Sequence, residues 1–132
     1  MDQATRERPE DLGHPLVLSS RVVGTPVYDR AGTRLGHVDE LSIEKESGRV
    51  IYAILSFGGF LGIGEKFHPV PWQLLDYDVE QGGFVVPLDP DDLKNAPAYD
   101  DEAIRELGGP DYRMQGEAIY GYYGRYGAVP YW

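Results

Sequence analysis

Hydrophobic and polar residues alternate over short distances through the first two thirds of the chain, a pattern that predicts β-strands. Leu41 and Ile43 are apolar between polar neighbours, as expected of a half-buried strand. The runs are separated by the segments Asp29 to Gly32 and Lys45 to Gly48, which both end in glycine and are typical of hairpin turns. Val22 to Tyr28 is predicted as a strand interrupted by glycine and proline, and Gly36 is predicted to mark a bulge or bend.

The segment Val50 to Phe57 is the most apolar run and is predicted to be a strand covered on both sides. Strand geometry places alternate side chains on opposite sides. We expect the side that carries Ala53 and Leu55 to face the core, so Tyr52 and Ile54 point outward. These two residues are predicted to be covered by another strand, by the C-terminal tail or by a second subunit.

Residues 58–72 form a glycine-rich loop followed by a segment with two prolines and a tryptophan. Glycine permits sharp turns, proline ends strand pairing, and Trp72 is predicted to be buried at the centre of the fold. A short helical turn at Gln73 to Leu75 and a last hairpin from Tyr77 to Pro87 follow. The whole pattern predicts a mainly β protein, folded as a small closed or nearly closed barrel. The residues assigned to its structural core and loop are Gly59, Gly62, Gly64, Pro71 and Trp72.

Composition restricts the classes of partner. The 132 residues indicate one domain and carry a formal net charge of −10, which argues against binding to nucleic acid and to anionic lipid. The chain has no cysteine, so it forms neither disulfides nor thiolate metal sites, and this fits a reducing cytoplasm. It shows neither a secretion signal nor a membrane-spanning segment, and we expect a cytoplasmic protein without membrane insertion.

The glycine-rich loop and the histidines are interpreted as structural. Gly59 and Gly64 have the spacing of a phosphate-binding loop, but Glu65 occupies the position of the essential lysine, and Lys66 comes one residue late. The histidines, His14, His37 and His68, have no spacing suited to a metal site. No nucleophile, base and orienting group can be combined from the sequence, so we expect no enzyme activity, no cofactor and no metal.

The acidic segment from Asp89 to Asp101 departs from the pattern of a calcium loop, since Leu93 and Lys94 stand where a ligand and a glycine are required. Its carboxylates are expected to cap a helical turn through Leu93 and a helix from Glu102 to Leu107. The alternative function that stays open is a domain that binds a small ligand or metal through the Gly59–Lys66 loop or this segment.

The C-terminal tail is rich in aromatic residues and is the strongest candidate for an interface. Its side chains are expected to pack on the chain's own barrel or on a twin subunit, to bind a partner, or to stay loose. With the outward residues of the central strand, the candidate interface comprises Tyr52, Ile54, Tyr120, Tyr122, Tyr123, Tyr126, Tyr131 and Trp132.

Several segments together resemble PRC-barrel domains. Gly24 to Asp29, followed by Leu35 to Leu41, is similar to the opening hairpin of this family. Gly48 to Ala53 is similar to the central strand of the family. Residues 58–66 and the segment Val70-Pro71-Trp72 are similar to the loop and the segment that follow that strand. The resemblance implies a six-stranded PRC-type β-barrel used for protein–protein contact. It divides the chain into a flexible N-terminal lead (residues 1–19), a barrel (residues 20–95) and an extension with a short helix and a tyrosine- and glycine-rich tail (residues 96–132).

Related barrels are the cytoplasmic domain of the photosynthetic reaction-centre H subunit and the C-terminal domain of the ribosome maturation factor RimM. The first needs a membrane helix ahead of the barrel and the second an RNA-facing domain, and the sequence before the barrel matches neither. The resemblance therefore implies a small stand-alone bacterial member. We expect a non-enzymatic adaptor that forms a homodimer and binds a further, unidentified protein.

Overall fold

The computed structural model describes residues 15–57 and 66–132. These residues contain six strands and four α-helices. None of the helices in these ranges has both the length and the apolar character needed to span a membrane. The strands are β1 Pro26–Tyr28, β2 Arg34–Ile43, β3 Val50–Ser56, β4 Phe67–Pro71, β5 Asp76–Asp78 and β6 Gly83–Val85. The helices are α1 Ser19–Val22, α2 Pro90–Lys94, α3 Asp101–Arg105 and α4 Tyr112–Tyr123, and Trp72–Leu74 and Gly124–Tyr126 form 3-10 turns.

The strands form one sheet in the order β4-β3-β2-β1-β6-β5, antiparallel except for the parallel pair β1 and β6. The protein is mainly β with one six-stranded sheet, as expected, but the sheet is not closed, so full closure of the predicted closed or nearly closed barrel is not observed. Closure would require β4 to pair with β5. Instead, the 3-10 turn Trp72–Leu74 separates the two strands. The edge of β4 that faces away from β3 is partly covered by Tyr99, whose backbone forms two hydrogen bonds of 2.9 Å with the backbone of Phe67.

The predicted turns and the predicted bulge are confirmed. Gly32, in the turn between β1 and β2, has a φ of 88°, a conformation that other residues rarely adopt. The register shifts between Val27 and Tyr28, opposite Gly36. At Gly36, β2 approaches β3 so closely that a β-carbon would overlap with the carbonyl oxygen of Ser56. Only glycine fits at this position, because a side chain would overlap with the backbone of β3.

The beginning of the described chain differs from the prediction. Val22 lies in α1, and the first strand begins only at Pro26. Leu16 and Leu18 are exposed and lie outside any strand. The predictions for residues 1–14, including the flexible lead and His14, and for residues 58–65 lie outside the described residues.

β3 is buried on both sides, as its composition predicted. Its central residues, from Ile51 to Leu55, are all buried. Ala53 and Leu55 lie opposite Val70 and His68 of β4, on the side that faces the interior of the sheet. Tyr52 and Ile54 point to the other side and are 4% exposed each. A layer formed by the rest of the chain must therefore cover this second side.

Trp72 does not fill the interior, contrary to the prediction. It lies in the 3-10 turn at the end of β4, its side chain is half-buried, and its ring makes an edge contact with Phe84 at 5.6 Å. The interior is filled instead by aliphatic side chains from several strands, each 0–1% exposed. They are Val27, Leu35, Val38, Leu55, Val70 and Val86.

His68 is a polar residue within this apolar interior. It is 1% exposed, its ring contacts Phe57 at 4.9 Å, and neither ring nitrogen makes a hydrogen bond. Burial lowers the pKa of His68 to about 4, although the backbone of Pro97 opposes part of the shift. The imidazole is therefore neutral in the folded protein at neutral pH.

We expect His68→Leu to make the protein less sensitive to acid. Below the ordinary pKa of 6.5, the unfolded chain binds a proton at His68 and the folded chain does not until about pH 4. The free energy of unfolding therefore falls through this window, by up to about 3 kcal/mol. Urea unfolding at pH 7 and pH 4.5 should show a smaller decrease for His68→Leu than for the wild type. His37→Gln, at a side chain that is 43% exposed, is the control and should follow the wild type. Equal decreases in all three proteins would contradict this account.

Candidate functional site

Helix α4 is the element that covers the second side of β3. Its buried residues are Gly116, Ile119, Tyr120 and Tyr123, at the i, i+3, i+4, i+7 spacing of one helix face. The prediction of a tyrosine- and glycine-rich tail missed this helix. Its spacing was visible in the sequence, but Gly116 and Gly121 lower the helix propensity of the segment.

Two aromatic side chains, one from α4 and one from the tail, cover Tyr52, and a third packs on both of them. The ring of Tyr52 lies 5.8 Å from that of Tyr120 and 6.3 Å from that of Tyr131, the latter edge-on. Trp132 completes the group with edge contacts to Tyr120 at 5.7 Å and to Tyr131 at 5.2 Å. We call Tyr52, Tyr120, Tyr131 and Trp132 the aromatic cap. Of the possibilities left open by the sequence, packing on the chain's own sheet is the one observed.

Three contacts hold the tail in this position. The side-chain amide of Gln73 donates a hydrogen bond to the backbone carbonyl oxygen of Val129 at 2.8 Å. Its oxygen accepts a second hydrogen bond, from the backbone N–H of Val129, at 2.9 Å. Gly116 lies under the indole of Trp132, where a β-carbon would come within 2.5 Å of the ring. The guanidinium of Arg113 lies over the other part of this indole, 5.3 Å from its centre.

The other predicted tail residues form a second group next to α2. Tyr122 donates a hydrogen bond to the carbonyl oxygen of Asp92 at 2.5 Å, and its ring contacts Tyr123 at 5.1 Å. Tyr123 is fully buried, whereas Tyr126 is half-buried. Arg125 stacks on Tyr122 at 4.3 Å from the ring centre. This group fixes the end of α4 to α2.

The tyrosines of the cap stay uncharged over a wide pH range. Burial raises the pKa of Tyr52, and the neighbouring Tyr120 and Tyr131 add to this effect. Burial also raises the pKa of Tyr131, as do the nearby Tyr112 and Glu44, and Arg113 opposes it. The cap is therefore a neutral, apolar surface, suited to contact rather than to proton transfer.

A groove of about 550 Å³ runs beside the cap, between the tail and the sheet. Arg49 and Trp72 line one side of it, and Tyr120, Pro130 and Tyr131 line the other. Tyr52 is covered by the chain itself and is not available to another protein in this conformation. Ile54 is also 4% exposed, but it lines a separate groove on the same side of the sheet.

The large apolar side chains that stay exposed in the extension lie around the cap and along α4. Tyr112 is 43% exposed, Met114 65%, Val129 62% and Trp132 41%. Tyr112 lies near Tyr131, since it influences the pKa of that residue, and Val129 and Tyr131 line the same groove. Tyr112, Val129 and Trp132 therefore lie near Tyr131, and together they form what we call the solvent face of the cap.

The residues of the alternative function lie elsewhere. Asp89 and Asp92 form a capping box at the start of α2, and the carboxylate of Asp100 accepts a hydrogen bond from the N–H of Ala103, so the predicted helix caps are confirmed. Among residues 15–57 and 66–132, no group of three or more histidines and carboxylates is placed to hold a metal ion. The predicted loop residues Gly59, Gly62 and Gly64 lie outside the described residues.

Comparison with protein families finds a match that covers more than half of the chain. The model of the PRC-barrel domain matches residues 15–93, which include all six strands. A comparison with curated proteins finds no match.

Two glycines of α4 provide a matched test of the contact beneath Trp132. Alanine in a helix interior is more stable than glycine by about 0.5–1 kcal/mol, and nothing lies within 4 Å of a β-carbon at Gly121. We expect Gly121→Ala to stabilise the protein by this amount. Gly116→Ala should displace Trp132 and shift its fluorescence to longer wavelength. The free energy of unfolding of this variant should be about 1–2 kcal/mol lower than that of Gly121→Ala. Both variants are made in a Trp72→Phe background, which leaves one tryptophan. Identical stability and fluorescence in the two variants would show that Trp132 does not pack on Gly116.

Proposed function

Because the chain belongs to the PRC-barrel domain family, we propose that it is a non-enzymatic protein-interaction module that forms a homodimer through the solvent face of its aromatic cap. The observation that carries the proposal is the exposure of Tyr112, Val129 and Trp132 around one cluster of rings. Aromatic residues and arginine are enriched at the centres of protein interfaces. Here they are held by the chain's own packing, so little side-chain freedom is lost on binding.

The distribution of charge favours a second copy of the chain at this surface. Two molecules with a net charge of −10 repel each other. Residues 112–132 carry two basic side chains, Arg113 and Arg125, and one acidic one, Glu117, whereas residues 76–111 carry 11 acidic and two basic ones. A contact through the cap therefore brings together the surfaces with the least repulsion. It also shields the apolar groups that the single chain leaves in water.

We expect the protein to be a dimer in solution, with a mass of twice 14.7 kDa by light scattering. The double variant Tyr112→Glu/Val129→Glu places carboxylates on the solvent face of the cap and should weaken the dimer at least tenfold. The melting temperature of the wild type should rise with protein concentration, and that of the variant should not.

Two single variants serve as controls. Val79→Glu introduces a charge at a residue that is 56% exposed in the turn between β5 and β6, and Val17→Glu does so at one that is 60% exposed before α1. Both should remain dimeric. A monomeric wild type would refute the homodimer, and loss of the dimer in Val17→Glu alone would place the interface at the start of the described chain.

A further inference from the structure

A second groove lies on the same side of the sheet, under helix α3 and away from the aromatic cap. Its volume is about 320 Å³, and it is open to solvent. Ile54 of β3 and Phe67 of β4 form part of its floor, and Ile104 and Leu107 face them from α3 and the residues that follow. A cavity of this size is at the lower end of the range of ligand pockets and accommodates one or two apolar side chains.

The edge of this groove is acidic. Asp39 and Glu40 from β2 lie on one side and Asp101 from α3 on the other. The lining includes one cation, Arg105, which forms a 3.1 Å ion pair with Asp101. Three carboxylates thus face one guanidinium, and Glu40 is exposed.

The surroundings add to this negative charge. Glu102 and Glu106 are exposed on α3 and its C-terminal end. His37 lies 3.7 Å from Asp39, so it offsets the charge of that carboxylate only when it is protonated. An apolar floor with an acidic edge is complementary to a partner in which apolar side chains are flanked by lysine or arginine.

We propose that this acid-rimmed groove binds a basic amphipathic segment of another protein. One or two apolar side chains of that segment enter between Ile54 and Ile104, and its cations pair with Glu40 and Asp101. The carboxylates at the edge repel nucleic acid and anionic membranes. They equally disfavour the acidic middle of a second copy of this chain, so the site is distinct from the proposed dimer contact.

The binding should depend on both the apolar and the charged part of the partner. The probes are three fluorescent ten-residue peptides, KKLLKKLLKK, KKSSKKSSKK and EELLEELLEE, titrated with the full chain and followed by fluorescence anisotropy. We expect saturable binding of the first, and at least tenfold weaker binding of the second, which lacks apolar side chains, and of the third, which reverses the charge. The affinity for the first peptide should fall as salt is raised from 0.05 M to 0.5 M.

A pair of charge reversals separates this groove from the overall charge of the protein. Glu40→Lys changes the edge of the groove, whereas Glu80→Lys makes the same change at an exposed residue between β5 and β6. We expect the affinity for KKLLKKLLKK to fall about tenfold in the first variant and less than twofold in the second. Ser42→Phe, which places a large side chain in the groove lining, should also abolish binding.

Three results would overturn the proposal: no binding of KKLLKKLLKK, equal binding of KKSSKKSSKK, or equal effects of Glu40→Lys and Glu80→Lys. The position of the peptide is checked by amide chemical-shift changes in labelled protein. These should map to Glu40, Ile54 and Ile104. Changes centred on Trp132 and Tyr131 would place the peptide on the aromatic cap instead and would equally refute the groove.

Discussion

The fold depends on covering a central strand that is apolar on both sides. A sheet with one layer leaves one side of β3 in water, and Tyr52 and Ile54 would then expose apolar surface. Helix α4 and the tail provide the second layer. Two contacts position them: Gln73, in the turn after β4, binds Val129 of the tail, and Gly116 of α4 lies under Trp132. The extension is therefore part of the folded core and not an appendage to it.

This arrangement also decides which surfaces are left for other molecules. The ring of Tyr52 is used to anchor α4, so the interface that its position suggested is already occupied within the chain. Within residues 15–57 and 66–132, two surfaces stay open: the solvent face of the cap and the acid-rimmed groove under α3. The two differ in charge, and this difference is the reason for proposing different partners, a second copy of the chain for the cap and a basic segment for the groove.

Much of the fold could be predicted because it rests on local signals. The glycine turn at Gly32, the double burial of β3 and the cap at Asp100 each follow from a few neighbouring residues. Closure of the sheet could not be predicted, since alternation defines strands but not whether the first and last of them meet. The aromatic cluster was visible in the composition. Its location was not, because α4 contains two glycines, and the need for a small residue at Gly116 appears only once Trp132 is in place.

An open sheet retains two borders at which a foreign strand can add. At β4, Tyr99 already occupies the backbone groups of Phe67. β5 is three residues long, and two of these, Asp76 and Asp78, are acidic. If two molecules were to join edge to edge along β5, these side chains would bring like charges together in a narrow space. Repulsion between these carboxylates disfavours such pairing along β5.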